Sequence, residues 1–149
     1  ERSSDRLPGY LNYRLHFEQN SLYNTPPTFA IYLLDLVCQS IQETHGDLES
    51  LHQVNQQKAD LLYRILDDHS AFYSGHAQPD SRSLMNVTFQ LPSNELLDQF
   101  LGEASEAGLA NLRGHRSVGG VRASIYNAMP FEGVKALAEF MIDFKNRNA

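Results

Sequence analysis

Two prolines standing directly before the most apolar run of the chain limit its fold more than any other feature. Pro26 and Pro27 precede the stretch Phe29 to Val37. Proline disfavours the helical region for the residue before it and is favoured in the first helical turn. A helix is therefore expected from about Pro27 to Glu43. Its residues Phe29, Ala30, Ile31, Leu33, Leu34, Leu36, Val37 and Ile41 cover most of the circumference. Such a helix is buried on several sides, in a core or against a partner subunit. It is no membrane span: Asp35 interrupts it, and it falls well short of the ~20 apolar residues a span needs.

The flanking segments read as mixed structure. Leu11, Tyr13 and Leu15 alternate with polar residues and suit a short strand. After Gly46, the residues Leu48, Leu51, Val54, Leu61, Leu62, Ile65 and Leu66 recur at helical spacing, so a long connecting helix is expected over 46–67. Phe72 and Tyr73 suit a short strand, and the polar stretch from Gly75 to Ser83, with Pro79, a surface loop. Met85, Val87, Phe89 and Leu91 alternate with Asn86, Thr88 and Gln90, the pattern of a half-buried strand. Ser93 or Asn94 can cap a helix that Gly108 ends. Leu109–Arg113 and Val121–Tyr126 read as strands, and Pro130 opens a last helix with Val134, Leu137, Ala138, Met141 and Phe144 as its stripe. The expected fold is α+β, a small antiparallel sheet with helices on one face.

The chain of 149 residues is long enough for one ordinary domain, or a small domain plus part of another. Its net charge of -6 argues against nucleic-acid and membrane-surface partners, which select for basic patches. The single cysteine, Cys38, permits no internal disulfide and fits a reducing compartment. The chain opens at Glu1 rather than methionine and reads as a fragment or processed chain.

Chemistry concentrates in the segment from Arg113 to Ser124. It carries Arg113, His115, Arg116 and Arg122 in an otherwise acidic chain. If Val121, Ala123 and Ile125 face a core, Arg122, Ser124 and Tyr126 share the opposite face. A guanidinium makes two parallel hydrogen bonds to a carboxylate or phosphate. His115, Arg116 and Arg122 could thus hold both ends of a small dianion, although a plain hairpin with surface arginines would look similar. The segment is not a nucleotide-binding P-loop, because Gly120 and Val121 stand where lysine and serine or threonine are needed.

A second candidate is Asn24-Thr25 at the start of the apolar helix, where unpaired N–H groups favour an anion. An ordinary helix cap is the plainer reading. Asn86-Val87-Thr88 matches a glycosylation acceptor but falls in an expected strand. His45, His52, His69 and His76 lack metal-ligand spacing. Lys58, Lys135 and Lys145 fall at polar helix positions, and none reads as desolvated.

Taken together, four segments resemble the phosphoserine aminotransferases. They are Ser21–Thr28, Met85–Phe89, the run Gly114-His115-Arg116-Ser117-Val118-Gly119-Gly120, and Arg122–Pro130. The similarity runs from about Leu11 to the end. It implies the C-terminal part of a homodimeric, cytoplasmic, fold-type I transaminase that uses pyridoxal 5'-phosphate. Such an enzyme converts phosphoserine and 2-oxoglutarate to 3-phosphohydroxypyruvate and glutamate, in serine and in some cases pyridoxine biosynthesis.

The resemblance also implies three parts. Residues 1–45 would end the large cofactor domain and supply a dimer-interface helix; 46–68 would be the connecting helix; 69–149 would be the small substrate-binding domain. Asn24 and Thr25 match residues that reach the cofactor phosphate. Arg122 matches the arginine on the substrate α-carboxylate, and His115 and Arg116 match residues at the distal phosphate or carboxylate. No residue here matches the Schiff-base lysine, expected upstream of Glu1, so the chain alone is expected to be inactive. The competing expectation is a stand-alone, non-catalytic α+β module that binds a small dianion.

Overall fold

The computed structural model describes residues 7–149, in two units, the first ending at Thr44 and the second spanning His45–Ala149. The first holds a 3-10 turn at Gly9–Leu11, helix α1 (Tyr13–Glu18) and most of helix α2 (Thr28–His45). The strand expected around Leu11–Leu15 is instead helical. Asn12 caps α1 by accepting a hydrogen bond from the Arg14 N–H at 3.1 Å, and that local bond outweighs a five-residue alternation. Helix α2 starts one residue later than expected, behind Pro27. None of its residues is buried: Phe29 is 73% exposed and Leu34 63%. The burial expected for it is not found among the described residues.

The second unit has a closed core. Helix α3 (Leu48–Asp68) is capped by Asp47, whose carboxylate accepts from the Ser50 N–H at 2.7 Å. That bond and the helix N-terminus hold the Asp47 carboxyl below its ordinary pKa. Strands β1 (Ser74–Gly75), β2 (Asn86–Gln90) and β3 (Val121–Ser124) form an antiparallel sheet in that order. The register of β2 and β3 pairs Asn86 with Ser124 and Thr88 with Arg122. Val87, Phe89, Val121 and Ala123 therefore share one buried face, and α3, α4 (Asn94–Glu106) and α5 (Phe131–Asn148) contribute to the same core.

Aromatic rings fill the centre. Phe100 meets Phe89 edge-on at 5.9 Å between centroids and Phe144 at 5.1 Å. Each edge-to-face pair adds about 0.5–1.5 kcal/mol to the area it buries. Ser93 caps α4 by accepting from the Leu96 N–H at 3.2 Å. The fold is the expected α+β arrangement, a small antiparallel sheet with its helices on one face.

Two short strands anticipated from the sequence do not form. Phe72 and Tyr73 lie in a turn as buried core residues, and the Tyr73 hydroxyl donates to the Met141 carbonyl at 2.8 Å. Leu109–Arg113 makes only a bridge from Arg113 to Val121, because Asn111 at φ 61° breaks the extended chain.

Candidate anion site

The loop from Gly114 to Gly120 is closed by the Gly114 N–H donating to the Gly120 carbonyl at 2.7 Å. Both ends must be glycine. A Cβ on Gly114 would collide with the backbone of Gly119, and Gly120, at φ +67°, would put one 2.6 Å from the Phe89 carbonyl. Within the loop, the Val118 and Gly119 N–H groups both donate to the His115 carbonyl. Gln90 on β2 braces the loop by donating to the Val118 carbonyl at 3.3 Å.

The loop sets the tautomer of His115. The Ser117 N–H donates to Nδ1 at 3.3 Å, and the Ser117 hydroxyl lies 2.7 Å from the same atom. Nδ1 is then the acceptor and the ring proton sits on Nε2. His115 Nε2–H is therefore left to donate to an anion.

The three arginines divide by partner. Arg113 forms an ion pair with Asp98 at 3.0 Å, with both side chains exposed. Arg116 is exposed and makes no hydrogen bond or ion pair to any described residue. Arg122 is half-buried on β3, opposite Thr88, and its Nε is buried without an acceptor among the described residues. This Nε–H is therefore a donor that no described residue uses, as is the Nε–H of Arg82. Beside it, Asn86 Oδ1 accepts from the Ser124 hydroxyl at 3.1 Å and the Tyr126 hydroxyl at 3.2 Å. Asn86 thus sits inside β2 with its amide oxygen engaged.

A cavity of about 420 Å³ opens next to Arg122. Leu109, Leu112, Ile125, Val134 and Leu137 also line it, whereas His115 and Arg116 do not. Its chemistry is that of a core margin, and a dianion entering it would meet one cation. In the first unit, Asn24 and Thr25 are exposed just before α2 and make no side-chain hydrogen bond to described residues. The first turn of α2 carries no acidic residue, which suits a phosphate.

Lys58, expected at a polar helix position and not desolvated, is the opposite in the structure. It is fully buried, and its ammonium donates to the carbonyls of Ile125 at 3.2 Å, Tyr126 at 2.9 Å and Met129 at 3.1 Å. Burial pushes its pKa down. The signal was present: Leu51, Asn55, Lys58, Leu62 and Ile65 recur at helical spacing and are all buried on α3. Among the described residues, no group of histidine, cysteine and carboxylates is placed to hold a metal ion, and no helix is long and apolar enough to cross a membrane.

Comparison with known proteins places these features in context. Residues 8–137 match the family described as Aminotransferase class-V. The phosphoserine aminotransferase of Geobacillus kaustophilus is 56% identical over 149 residues, covering 100% of this chain and 41% of that protein. The solved phosphoserine aminotransferase from Bacillus circulans subsp. alkalophilus superposes with a TM-score of 0.89 at 47% identity, covering 99% of this chain and 41% of that one. A PLP-bound phosphoserine aminotransferase from Trichomonas vaginalis superposes with a TM-score of 0.83 at 34% identity, over 95% of this chain and 40% of that one. The chain spans about 40% of the length of the curated relatives it matches.

Proposed function

This chain belongs to the aminotransferase class-V family, and from that premise we propose that it is the substrate-clamping part of a pyridoxal-phosphate-dependent phosphoserine transaminase. The whole enzyme exchanges an amino group between phosphoserine with 2-oxoglutarate and 3-phosphohydroxypyruvate with glutamate. The observation that carries this reading is the pair of unneutralised arginines: Arg116 has no partner among the described residues, and Arg122 has a buried Nε without an acceptor.

Both amino donors carry an α-carboxylate and a second anion at the other end. Arg122 takes the shared carboxylate, because its position on a paired strand fixes the direction of the fork. His115 and Arg116, exposed on the glycine-bounded loop, take the end that differs, phosphate or carboxylate. Charge counts for more than shape at that end, and each charge-assisted bond contributes about 1.5–3 kcal/mol. Asn24 and Thr25 hold the cofactor phosphate with free side chains ahead of a helix that has no acid in its first turn. When bound, pyridoxal phosphate supplies the electron sink of the reaction. The residues of this chain bind and orient; no lysine here occupies the family's catalytic position, so the chain alone does not transaminate.

Residues 1–45 end the large domain, 46–68 connect, and 69–149 form the small substrate domain. The exposed apolar surface of α2 is the dimer-interface helix of a cytoplasmic homodimer. Nucleic acid and membranes are not partners. The test is Arg122→Ala in the complete enzyme, assayed at steady state with phosphoserine and with glutamate. The expected loss in kcat/KM is about 100-fold or more for both. Near-normal values for both would overturn the assignment.

A further inference from the structure

Lys58 is a cation without a counter-ion. Among the described residues it pairs with no carboxylate, and its three N–H donors are all taken by main-chain carbonyls. A buried charge is costly unless its surroundings are arranged for it. Here the arrangement is one short turn. Ile125, Tyr126 and Met129, which supply the three oxygens, follow directly on β3. Asn55, one helical turn earlier on α3, donates to the Asn127 side chain of the same turn at 2.9 Å.

The two ends of β3 are held differently. At its start, the Arg122 N–H donates to the Leu112 carbonyl at 2.8 Å, and Val121 bridges Arg113. Past its end, the last sheet bond is the Ile125 N–H to the Met85 carbonyl at 2.8 Å. Beyond that point, Lys58 and Asn55 on α3 hold the turn. Asn86 ties the hydroxyls of Ser124 and Tyr126, while Lys58 holds the Tyr126 backbone.

We propose that Lys58 is a positioning residue for the anion clamp: its ammonium pins the turn Ile125–Met129 and so holds Arg122, Ser124 and Tyr126 on one rigid face. The role rests on the transaminase reading above, and it makes α3 part of the substrate site without contact to substrate. Loss of the three donors releases the end of β3. The direction of the Arg122 fork then becomes less defined, and ground-state binding weakens.

The experiment compares Lys58→Met, Lys58→Arg and Asn127→Ala with the wild type in the complete, cofactor-loaded enzyme. KM and kcat for phosphoserine and glutamate are measured beside the thermal midpoint. For Lys58→Met, KM for both donors should rise about tenfold or more while kcat per folded enzyme stays within about threefold. Lys58→Arg keeps a cation but not the compact three-donor ammonium, so its KM should lie between those of wild type and Lys58→Met. Asn127→Ala should raise KM in the same direction by a smaller factor.

A merely structural lysine would lower the thermal midpoint and the folded fraction with KM unmoved, and that result overturns the inference. Should Lys58→Met not fold, Asn127→Ala decides: a raised KM with kcat unmoved supports the role, and an unmoved KM overturns it. Wild-type enzyme that does not transaminate overturns the activity and this role together. Active wild type with unmoved KM in the variants overturns this role alone.

Discussion

Helices α2 and α5 are each 18 residues long and behave oppositely. Helix α5 buries Val134, Leu137, Ala138, Met141 and Phe144 along one stripe, and its other faces are charged. Helix α2 is richer in large apolar residues, yet none of them is buried within the chain. Apolar content therefore does not by itself place a helix in a core. The stripe of α5 meets a surface that the same chain provides, in the sheet, α3 and α4. The apolar residues of α2 have no such surface among the described residues.

The largest test of this contrast separates the two units. Residues 45–149 alone should unfold in one cooperative transition, because their core is closed. Residues 1–44 alone should show none, because an isolated helix of this length is marginal in water. Circular dichroism against temperature reads both, and a cooperative transition in the shorter piece would break the comparison.

Phe100→Ala removes a fully buried ring that packs against Phe89, Phe140 and Phe144. It should cost about 3–5 kcal/mol in urea denaturation. Ser93→Ala removes the cap of α4 and should cost about 1 kcal/mol. In α2, Leu34→Ser should change the stability of the chain by less than about 0.5 kcal/mol. A loss above about 1 kcal/mol there would mean that α2 is packed after all.

The smallest effect is acid-dependent. Arg82 donates to Asp67 at 2.8 Å, and this hydrogen bond holds the Asp67 carboxyl below its ordinary pKa. A depressed folded-state value contributes stability above the unfolded pKa of about 4, and that contribution disappears as pH falls through the folded value. Because Asp67 is more than half exposed, the contribution is modest. Asp67→Asn should lower stability slightly above about pH 4, where the contribution is present, and flatten the fall below it, so that variant and wild type converge at low pH.

Much of the fold was legible where a local rule acts alone. Pro27 fixes the start of α2, Ser93 that of α4 and Pro130 that of α5, and the alternation through Val87 and Phe89 gives β2 its buried face. The pattern failed over short spans. Five alternating residues near Tyr13 lost to a capping asparagine, and Asn111 broke an expected strand. In the anion segment, the sequence supplied the residue types but not their partners. Only the fold sets Asp98 on α4 beside Arg113 and leaves Arg116 without a described partner.

The sequence by itself determined the order of the long helices and of β2 and β3, the faces of those two strands, and the glycine-bounded loop that carries His115 and Arg116. These follow from backbone sterics and hydrophobic period, which act within a few residues of chain. Tertiary structure alone decided which cations are free and which are consumed. The partners of Lys58 lie 67 to 71 residues away and are main-chain oxygens, which every residue possesses and no sequence pattern marks. Whether a charge is desolvated, paired or left open depends on what the fold brings beside it, and that is set only when distant segments pack.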